Sequence, residues 1–171
     1  MSRTTTSATG SETITEQVDI RGPRFVAWIT TAVLVVVLLL AAVATPAAAV
    51  LIAVQAVVFA LGAALGPRRH PYGLLYARFV APRLGPVTET EPTPPLRFAQ
   101  LVGLLFAAGS LVGFLAGATT VGAVFAGFAL FASFLNAAFG ICLGCMIYPL
   151  VARLVTRAPA ETSAPNSPAA N

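Results

Sequence analysis

Four long apolar segments alternate with polar segments along the chain. None of the four contains Asp, Glu, Lys, Arg or His, and they cover residues 25–44, 47–65, 98–117 and 121–152. A helix of about 20 residues is long enough to cross the hydrocarbon core of a bilayer. Because backbone groups in lipid must be hydrogen-bonded within the chain, each segment is predicted to be a membrane-spanning helix.

The polar joints differ in length. Short uncharged joints, residues 45–46 and 118–120, separate the first span from the second and the third from the fourth, whereas the middle loop, residues 66–97, is long. The pattern predicts an all-α polytopic membrane protein, in which four transmembrane helices form two hairpins. The fourth span is predicted over residues 121–143 or beyond.

Composition agrees with a lipid environment. The chain is 57% hydrophobic and only 9% charged, whereas soluble domains are about a quarter charged. The formal net charge is +4, and every basic residue is Arg and lies outside the apolar segments. This distribution is typical of a membrane protein and not of a nucleic-acid-binding protein, so the bilayer is the expected partner.

The arginines also predict an orientation. They lie before the first span, in the middle loop and after the fourth span. By the positive-inside rule these three segments face the cytoplasm, which predicts a multi-pass protein of the plasma membrane with both termini inside. The first span is longer than the apolar region of a signal peptide and follows three acidic residues, so we expect it to be retained.

The two ends of the chain lack apolar periodicity. Residues 1–19 are rich in Ser and Thr, and residues 158–171 are rich in Pro, Ala and Ser. Neither segment buries enough apolar area to offset the entropy of ordering it. We predict two disordered tails around one transmembrane domain, residues 20–157.

The first half of the middle loop interleaves Arg with aromatic and aliphatic residues. Residues 71–81 are predicted to form a short interfacial helix, ended by Pro82. The loop arginines are candidates for a site that binds an anion or a lipid headgroup, and the alternative is that they only set topology and anchoring. They are Arg68, Arg69, Arg78 and Arg83.

Glycines recur every four positions in the third and fourth spans, which lets helix backbones approach closely in lipid. The glycines of these stripes are Gly109, Gly113, Gly117, Gly140 and Gly144. Asn136 extends the second stripe and could hydrogen-bond to Gln55 or Gln100 on a neighbouring helix, or alternatively hold a substrate.

The fourth apolar segment contains the only cysteines, Cys142 and Cys145, in a C-x-x-C motif. As one helix, residues 121–152 would be about 48 Å long, whereas the hydrocarbon core is about 30 Å thick. The helix must therefore tilt, bend or emerge, and Gly140, Gly144 and Pro149 are its weak points. Both cysteines are predicted near the cytoplasmic end of this helix.

Three interpretations of the C-x-x-C motif are open from the residues. A reactive dithiol would exchange electrons or sulfur with a partner, although a position late in a helix does not favour the thiolate, and a cytoplasmic location predicts no standing disulfide. A metal site with His70 has one ligand too few, so no metal is predicted. Alternatively, both cysteines are small packing residues.

Four motifs, in chain order, carry a family resemblance. They are VDIRGPRF, RFVAPRLGP, PPLRFAQLVG and NAAFGICLGCMIY. Together, over residues 17–153, they resemble an uncharacterised family of bacterial membrane proteins, frequent in actinobacteria, known as domain of unknown function 4395. The resemblance implies a four-helix membrane protein without an established activity. Members are often encoded near thioredoxin-like and sulfurtransferase proteins, which implies such a partner for Cys142 and Cys145.

Three functions follow as hypotheses. The first is a membrane thiol-redox or sulfur-relay protein that uses Cys142 and Cys145, with Arg78 and Arg83 holding an anionic sulfur species. The second is a non-catalytic scaffold or partner subunit. The third, a transporter of small sulfur anions, ranks lower because the spans lack an ionisable residue. No nucleotide loop, catalytic triad or haem motif is present, so no cofactor is predicted, soluble enzyme classes are excluded, and substrate and oligomeric state stay open.

Overall fold

The computed structural model describes residues 17–156. In chain order the elements are β1 (Gln17–Asp19), α1 (Arg21–Val43), α2 (Thr45–Leu65), α3 (Pro71–Leu75), a π-helical turn (Tyr76–Val80), a 3-10 turn (Ala81–Arg83), β2 (Thr90–Pro92), α4 (Thr93–Leu115), α5 (Thr119–Phe139) and α6 (Leu143–Thr156). The predicted tails cover residues 1–19 and 158–171, and of these only residues 17–19 lie within the described residues.

Four helices, α1, α2, α4 and α5, are long and apolar enough to cross a membrane. This confirms the prediction of four transmembrane helices. Large apolar side chains stay exposed along them, for example Leu39 on α1 and Leu105 on α4. In a bilayer these side chains contact lipid, so the exposed apolar surface is what a membrane-embedded bundle requires.

The four spans pack as a closed ring, in which α1 contacts α2 and α5, and α4 contacts α2 and α5. The centre is filled by Leu34, Val37 and Ile52, which are fully buried. Small residues such as Ala107 and Ala126 are also fully buried. Small side chains bring helix backbones close together, which is how helices gain packing contacts in lipid.

The two ends of the bundle contain different elements. At one end Ala44 joins α1 to α2, and residues 116–118 join α4 to α5. We call this the bend end. At the other end lie the starts of α1 and α4, the ends of α2 and α5, the middle loop, β1, β2 and α6. We call this the arginine end, because the arginines of the described chain lie there.

A small antiparallel sheet crosses the arginine end. Val18 in β1 pairs with Glu91 in β2, with Gln17 opposite Pro92 and Asp19 opposite Thr90. Residues 17–19 belong to the segment that we predicted as a disordered tail, and the tail prediction is wrong for these three residues. A three-residue strand carries no recognisable period of its own, because its partner is more than 70 residues away.

The middle loop contains the predicted short helix. Helical structure runs from α3 through the π-helical turn and ends in the 3-10 turn at Arg83, so Pro82 lies inside the last turn. Tyr76 is buried against α1, where its ring meets that of Phe25 at 5.7 Å. The loop therefore folds back onto the bundle.

The fourth span is shorter than predicted. α5 ends at Phe139, the chain turns at residues 140–142, and α6 begins at Leu143. With 14 residues, α6 is about 21 Å long and too short to span the hydrocarbon core. It packs on α4, with the rings of Tyr148 and Phe98 5.9 Å apart.

Candidate functional site

The chain reverses at Gly140, immediately before the C-x-x-C motif. Gly140 has φ of +69°, a left-handed conformation that glycine adopts without a steric penalty. Its N–H donates to the Asn136 carbonyl at 3.1 Å, and the Ile141 N–H donates to the Leu135 carbonyl at 3.3 Å. These bonds close the last turn of α5 and release the next residues into a new direction.

Cys142 consequently precedes a helix. The Met146 N–H donates to the Cys142 carbonyl at 3.1 Å, which is the first backbone bond of α6. The Cys145 N–H points at Cys142 Sγ, 3.3 Å away. Cys142 therefore occupies the N-cap of α6, and its sulfur takes the place of a capping oxygen.

This position corrects the prediction that the pair lies late in one continuous helix. The N-terminus of α6 lies at Cys142, where the Cys145 N–H points at the sulfur. The positive end of a helix dipole generally favours a thiolate over a thiol. The sequence analysis expected the helix dipole to disfavour a reactive thiolate, and the N-cap position of Cys142 reverses this expectation. The sequence analysis named Gly140 as one of three weak points of the 121–152 segment, and the structure places the break there, where φ is +69°.

Cys142 and Cys145 are joined by a disulfide, with their Cα atoms 5.2 Å apart. That separation is within the usual range for a disulfide. The sequence analysis expected no standing disulfide on the basis of a cytoplasmic location, and the structure holds the pair in its oxidised form.

A cavity of about 550 Å³ lies at the arginine end and has Cys142 on its wall. Cys145 does not contribute to the wall. The cavity is bounded by the β1–β2 sheet, the start of α1, the middle loop, the start of α4 and the end of α5. Its polar lining residues include Gln17, Asp19, Arg68, His70, Tyr76, Thr90, Gln100 and Asn136, and its apolar ones include Val18, Val26, Val87, Leu96 and Ala99.

His70 is the most deeply buried polar group of this wall. It is 1% exposed, and neither ring nitrogen has a hydrogen-bond partner among residues 17–156. Burial penalises the imidazolium and lowers the pKa of His70 to about 4, so the ring is neutral near pH 7. Tyr72 contacts its edge, with ring centroids 5.3 Å apart.

Gln100 meets His70 over Gly62 of α2. A Cβ at Gly62 would lie 2.5 Å from His70 Cδ2 and 2.9 Å from Gln100 Oε1. The Gln100 oxygen is also buried without a partner. Buried polar atoms are nearly always hydrogen-bonded in proteins, so two adjacent unpartnered side chains on a cavity wall indicate a place where a ligand or water completes the bonding.

Asp19 lies on the cavity wall and accepts several hydrogen bonds. Its carboxylate accepts bonds from the Arg21 backbone N–H and Nε at 3.0 Å and from the Tyr76 hydroxyl at 3.1 Å. Partial burial acts to raise the pKa of Asp19, but these hydrogen bonds outweigh it and the pKa lies below its ordinary value. Arg21 also donates to the carbonyls of Gly85 and Pro86, which ties the loop to α1.

The arginine cluster does not converge on one site. Of Arg68, Arg69, Arg78 and Arg83, only Arg68 lines the cavity, and it donates to the Gln17 carbonyl at 3.0 Å. Arg83 donates to the Phe79 carbonyl of its own helical turn. Neither Arg78 nor Arg83 lies on the wall that carries Cys142, which does not support a role for them in holding an anionic sulfur species there.

Other arginines bind the ends of helices. Arg97 donates to the carbonyls of Ala63 at 2.8 Å and Ala64 at 2.7 Å, in the last turn of α2. Arg24 donates to the Ala137 carbonyl at 3.4 Å, in the last turn of α5. A cation near a helix C-terminus is favourable because the carbonyls there lack intrahelical donors.

The predicted glycine stripes divide into two roles. A Cβ at Gly109 would meet the Phe125 ring at 2.8 Å, one at Gly113 would meet the Gly122 backbone N at 2.6 Å, and one at Gly144 would meet Ala99 Cα at 2.6 Å. These three sit at close helix contacts. Gly117 and Gly140, in contrast, have open space around them and positive φ angles. Both residues lie at the C-terminal ends of helices, Gly117 after α4 and Gly140 after α5.

A side-chain hydrogen bond between α1 and α5 is made by Ser133, one turn before Asn136. The Thr31 hydroxyl donates to Ser133 Oγ at 3.2 Å, whereas Asn136 lines the cavity together with Gln100. Gln55 accepts a bond from the Tyr72 hydroxyl at 2.9 Å. The sequence analysis considered His70 only as a metal ligand and Gln100 only as a partner for Asn136, so their meeting at the cavity was missed.

Comparison with known proteins gives one match. No curated protein and no solved structure matches the chain significantly. The sequence model described as domain of unknown function (DUF4395) matches residues 18–153, which is most of the chain. The match contains all four spans, both cysteines and every cavity-lining residue except Gln17. The chain therefore belongs to the DUF4395 family.

Proposed function

We propose that the protein is a membrane-embedded thiol–disulfide exchange protein, in which Cys142 is the sulfur that a partner attacks. One observation carries the proposal: Cys142 caps the N-terminus of α6 on the wall of a cavity and is bonded to Cys145 three residues later. A thiol protein needs an accessible sulfur and a stabilised thiolate, and this arrangement offers both.

The exchange takes place in two balanced steps. A thiolate of a partner dithiol attacks Cys142 Sγ, a mixed disulfide forms, and Cys145 leaves as a thiolate that takes up a proton. The second thiol of the partner then attacks the partner's first sulfur, which is bonded to Cys142 in the mixed disulfide. Cys142 leaves as a thiolate, and the partner is left with a disulfide. The partner is oxidised by two electrons, and the protein pair becomes a dithiol.

The N-cap position also sets the favoured direction. Stabilising the Cys142 thiolate stabilises the reduced form of the pair, and a stabilised reduced form makes the disulfide a stronger oxidant. We therefore expect the protein to accept electrons from a thioredoxin-like dithiol. Sulfur relay is the alternative function at the same residue. In it, a sulfurtransferase persulfide passes its outer sulfur to the Cys142 thiolate.

The cytoplasmic face is the proposed location of this site. The proposal rests on the positive-inside rule and on the arginines gathered at the arginine end, and it includes insertion in the plasma membrane. Labelling of single-cysteine variants in sealed vesicles, with a reagent that does not cross membranes, tests the orientation independently of the chemistry.

The function is tested with the full chain in lipid nanodiscs. Oxidised protein is mixed with dithiothreitol or glutathione, quenched with acid and labelled with a maleimide mass tag. We expect both thiols to become available without denaturation. Cys142→Ser should abolish exchange. Cys145→Ser protein, given oxidised glutathione, should form a stable mixed disulfide through Cys142 and release one glutathione, because no second cysteine resolves it. If the disulfide is reduced only after denaturation, the pair is structural and the scaffold hypothesis replaces this one.

A further inference from the structure

We propose that the cavity beside Cys142 binds the head group of a lipid-soluble quinone, which reoxidises the Cys142–Cys145 dithiol. This inference rests on the thiol–disulfide cycle proposed above and names the electron acceptor of the same site. It is carried by three properties of the cavity: its unpartnered polar groups, its near-neutral charge and its place at the end of a membrane bundle.

The electron balance requires such an acceptor. A dithiol that has received two electrons and two protons from a partner must lose them again before the next turnover. A quinone takes up two electrons and two protons and becomes a quinol, so one dithiol becomes one disulfide for each quinol formed. Quinones dissolve in the bilayer, and the spans place the whole bundle in that solvent.

The polar groups of the wall fit a ring with two carbonyl oxygens. Quinone oxygens accept hydrogen bonds, and the wall offers an N–H of neutral His70 and the carboxamide N–H groups of Gln100 and Asn136. The buried Gln100 oxygen, an acceptor, can bond only a hydroxyl of the quinol. Both nitrogens of His70 lack a partner although the side chain is 1% exposed. A neutral imidazole has one donor and one acceptor, so it can donate to the quinone carbonyl and accept from the quinol hydroxyl.

The charge of the cavity disfavours an anionic ligand. Asp19 and Arg68 are the charged residues on its wall and have opposite signs. The Asp19 carboxylate is already held by Arg21 and Tyr76. Deeper polar groups are an imidazole and two amides. A neutral polar ring suits such a lining better than a sulfur oxyanion, which would lose its hydration without a cluster of cations to replace it.

Size and surroundings also agree. A cavity of about 550 Å³ is within the range of small-molecule sites, which are mostly apolar with a few converging polar groups. Val26, Leu96 and Ala99 supply apolar walls. Phe139 and Ile141, which flank the turn before Cys142, are exposed apolar side chains on a membrane-embedded bundle, so an isoprenoid tail has apolar surface next to the site.

Binding is tested apart from redox chemistry. Cys142→Ser/Cys145→Ser protein in nanodiscs is titrated with decylubiquinone, and binding is followed by calorimetry and by thermal stabilisation. We expect saturable binding, weakened roughly five- to tenfold by Gln100→Leu or Asn136→Leu, since each removes about one hydrogen bond. His70→Asn, which keeps a donor and an acceptor, should weaken binding less than His70→Leu. Absence of saturable binding overturns the proposal.

Electron transfer is tested with pre-reduced wild-type protein. Loss of quinone absorbance and loss of both thiols should proceed together, one quinol per dithiol. The Gln100→Leu and Asn136→Leu variants should raise the KM for decylubiquinone by a similar factor. Equal oxidation rates in wild type and both variants would mean that the quinone reacts outside the cavity, which overturns the proposed site.

The two proposals fail in different ways. If the pair exchanges with dithiothreitol but decylubiquinone neither binds nor oxidises it, the quinone site is overturned and the exchange function stands. If the pair reacts with no thiol, the exchange function fails. The titration of the double Ser variant then decides whether the cavity is a quinone site at all.

Discussion

The bend end and the arginine end of the bundle are built on opposite principles. At the bend end the chain reverses within one to three residues, and backbone meets backbone where Gly113 faces Gly122. At the arginine end the chain takes long excursions, side chains bind helix termini, and polar groups such as His70 are buried without partners. The comparison indicates that one end is closely packed, whereas the other has the cavity and polar groups on which the proposed chemistry rests.

The largest expected effect comes from disturbing the backbone contact of the bend end. Gly113→Ala would place a Cβ 2.6 Å from the Gly122 N, and a backbone atom cannot move without separating α4 from α5. We expect a loss of about 2–3 kcal/mol, measured as unfolding free energy or thermal midpoint in detergent or nanodiscs. Gly127→Ala on α5, which has open space around it, is the matched control and should be neutral.

Thiol exchange sharpens this test. Folded Gly113→Ala protein should exchange its disulfide at the wild-type rate, because Cys142 lies at the opposite end. An unchanged stability of Gly113→Ala would contradict the close contact and with it the close packing of the bend end.

The next effect is acid sensitivity at the arginine end. The pKa of His70 is lowered to about 4 from an ordinary value of 6.5, so the unfolded chain binds a proton that the folded chain refuses. The contribution of neutral His70 to the free energy of unfolding is fully present above pH 6.5. It decreases as the pH drops and levels off below about pH 4. We expect a loss on the order of 2 kcal/mol over this window, seen as a falling thermal midpoint.

The acid test needs a variant to separate His70 from its neighbours. Protonation of Asp19 also destabilises the protein in acid, because the pKa of Asp19 lies below its ordinary value. Arg68 lies on the same cavity wall as His70, and the Tyr72 ring contacts the His70 ring. The difference between wild type and His70→Gln across pH 4–6.5 isolates the histidine. Identical pH profiles would show that His70 is not buried as a neutral ring.

A smaller effect is expected from the glycine under the cavity. The Cβ of Gly62→Ala would lie 2.5 Å from His70 Cδ2 and 2.9 Å from Gln100 Oε1. Both are side-chain atoms that can turn away. We expect a loss of about 1 kcal/mol, less than for Gly113→Ala because only side chains move. The displaced groups line the cavity, so decylubiquinone binding should weaken as well. A variant with lower stability and intact binding would place the contact outside the ligand site.

The smallest effect concerns a helix terminus. Arg97→Gln removes the cation that binds the Ala63 and Ala64 carbonyls, and we expect a loss of about 0.3–1 kcal/mol that shrinks at high salt. Arg69→Gln, another exposed arginine at the same end, serves as the control. Equal losses in both variants would indicate a general charge effect and not binding of the α2 terminus.

The sequence analysis predicted the membrane spans but not the cavity beside Cys142. The four membrane helices follow from uninterrupted apolar runs, and the loop helix follows from residues 71–81. The β1–β2 sheet was missed, since Gln17 and Pro92 pair across a separation that no local pattern encodes. The glycine stripes predicted close contacts at Gly113 and Gly144 but could not distinguish them from the helix ends at Gly117 and Gly140.

By itself, the sequence determined that this chain is a bundle of four membrane helices with its arginines at one end, because hydrophobic length and charge placement depend only on the order of residues. Only the tertiary structure decided that Cys142 begins a helix and shares a cavity with His70, Gln100 and Asn136. These residues come from the middle loop, α4, the end of α5 and the turn after it. Cys142 joins the other three because the chain turns at Gly140 and α6 packs on α4, with Gly144 against Ala99.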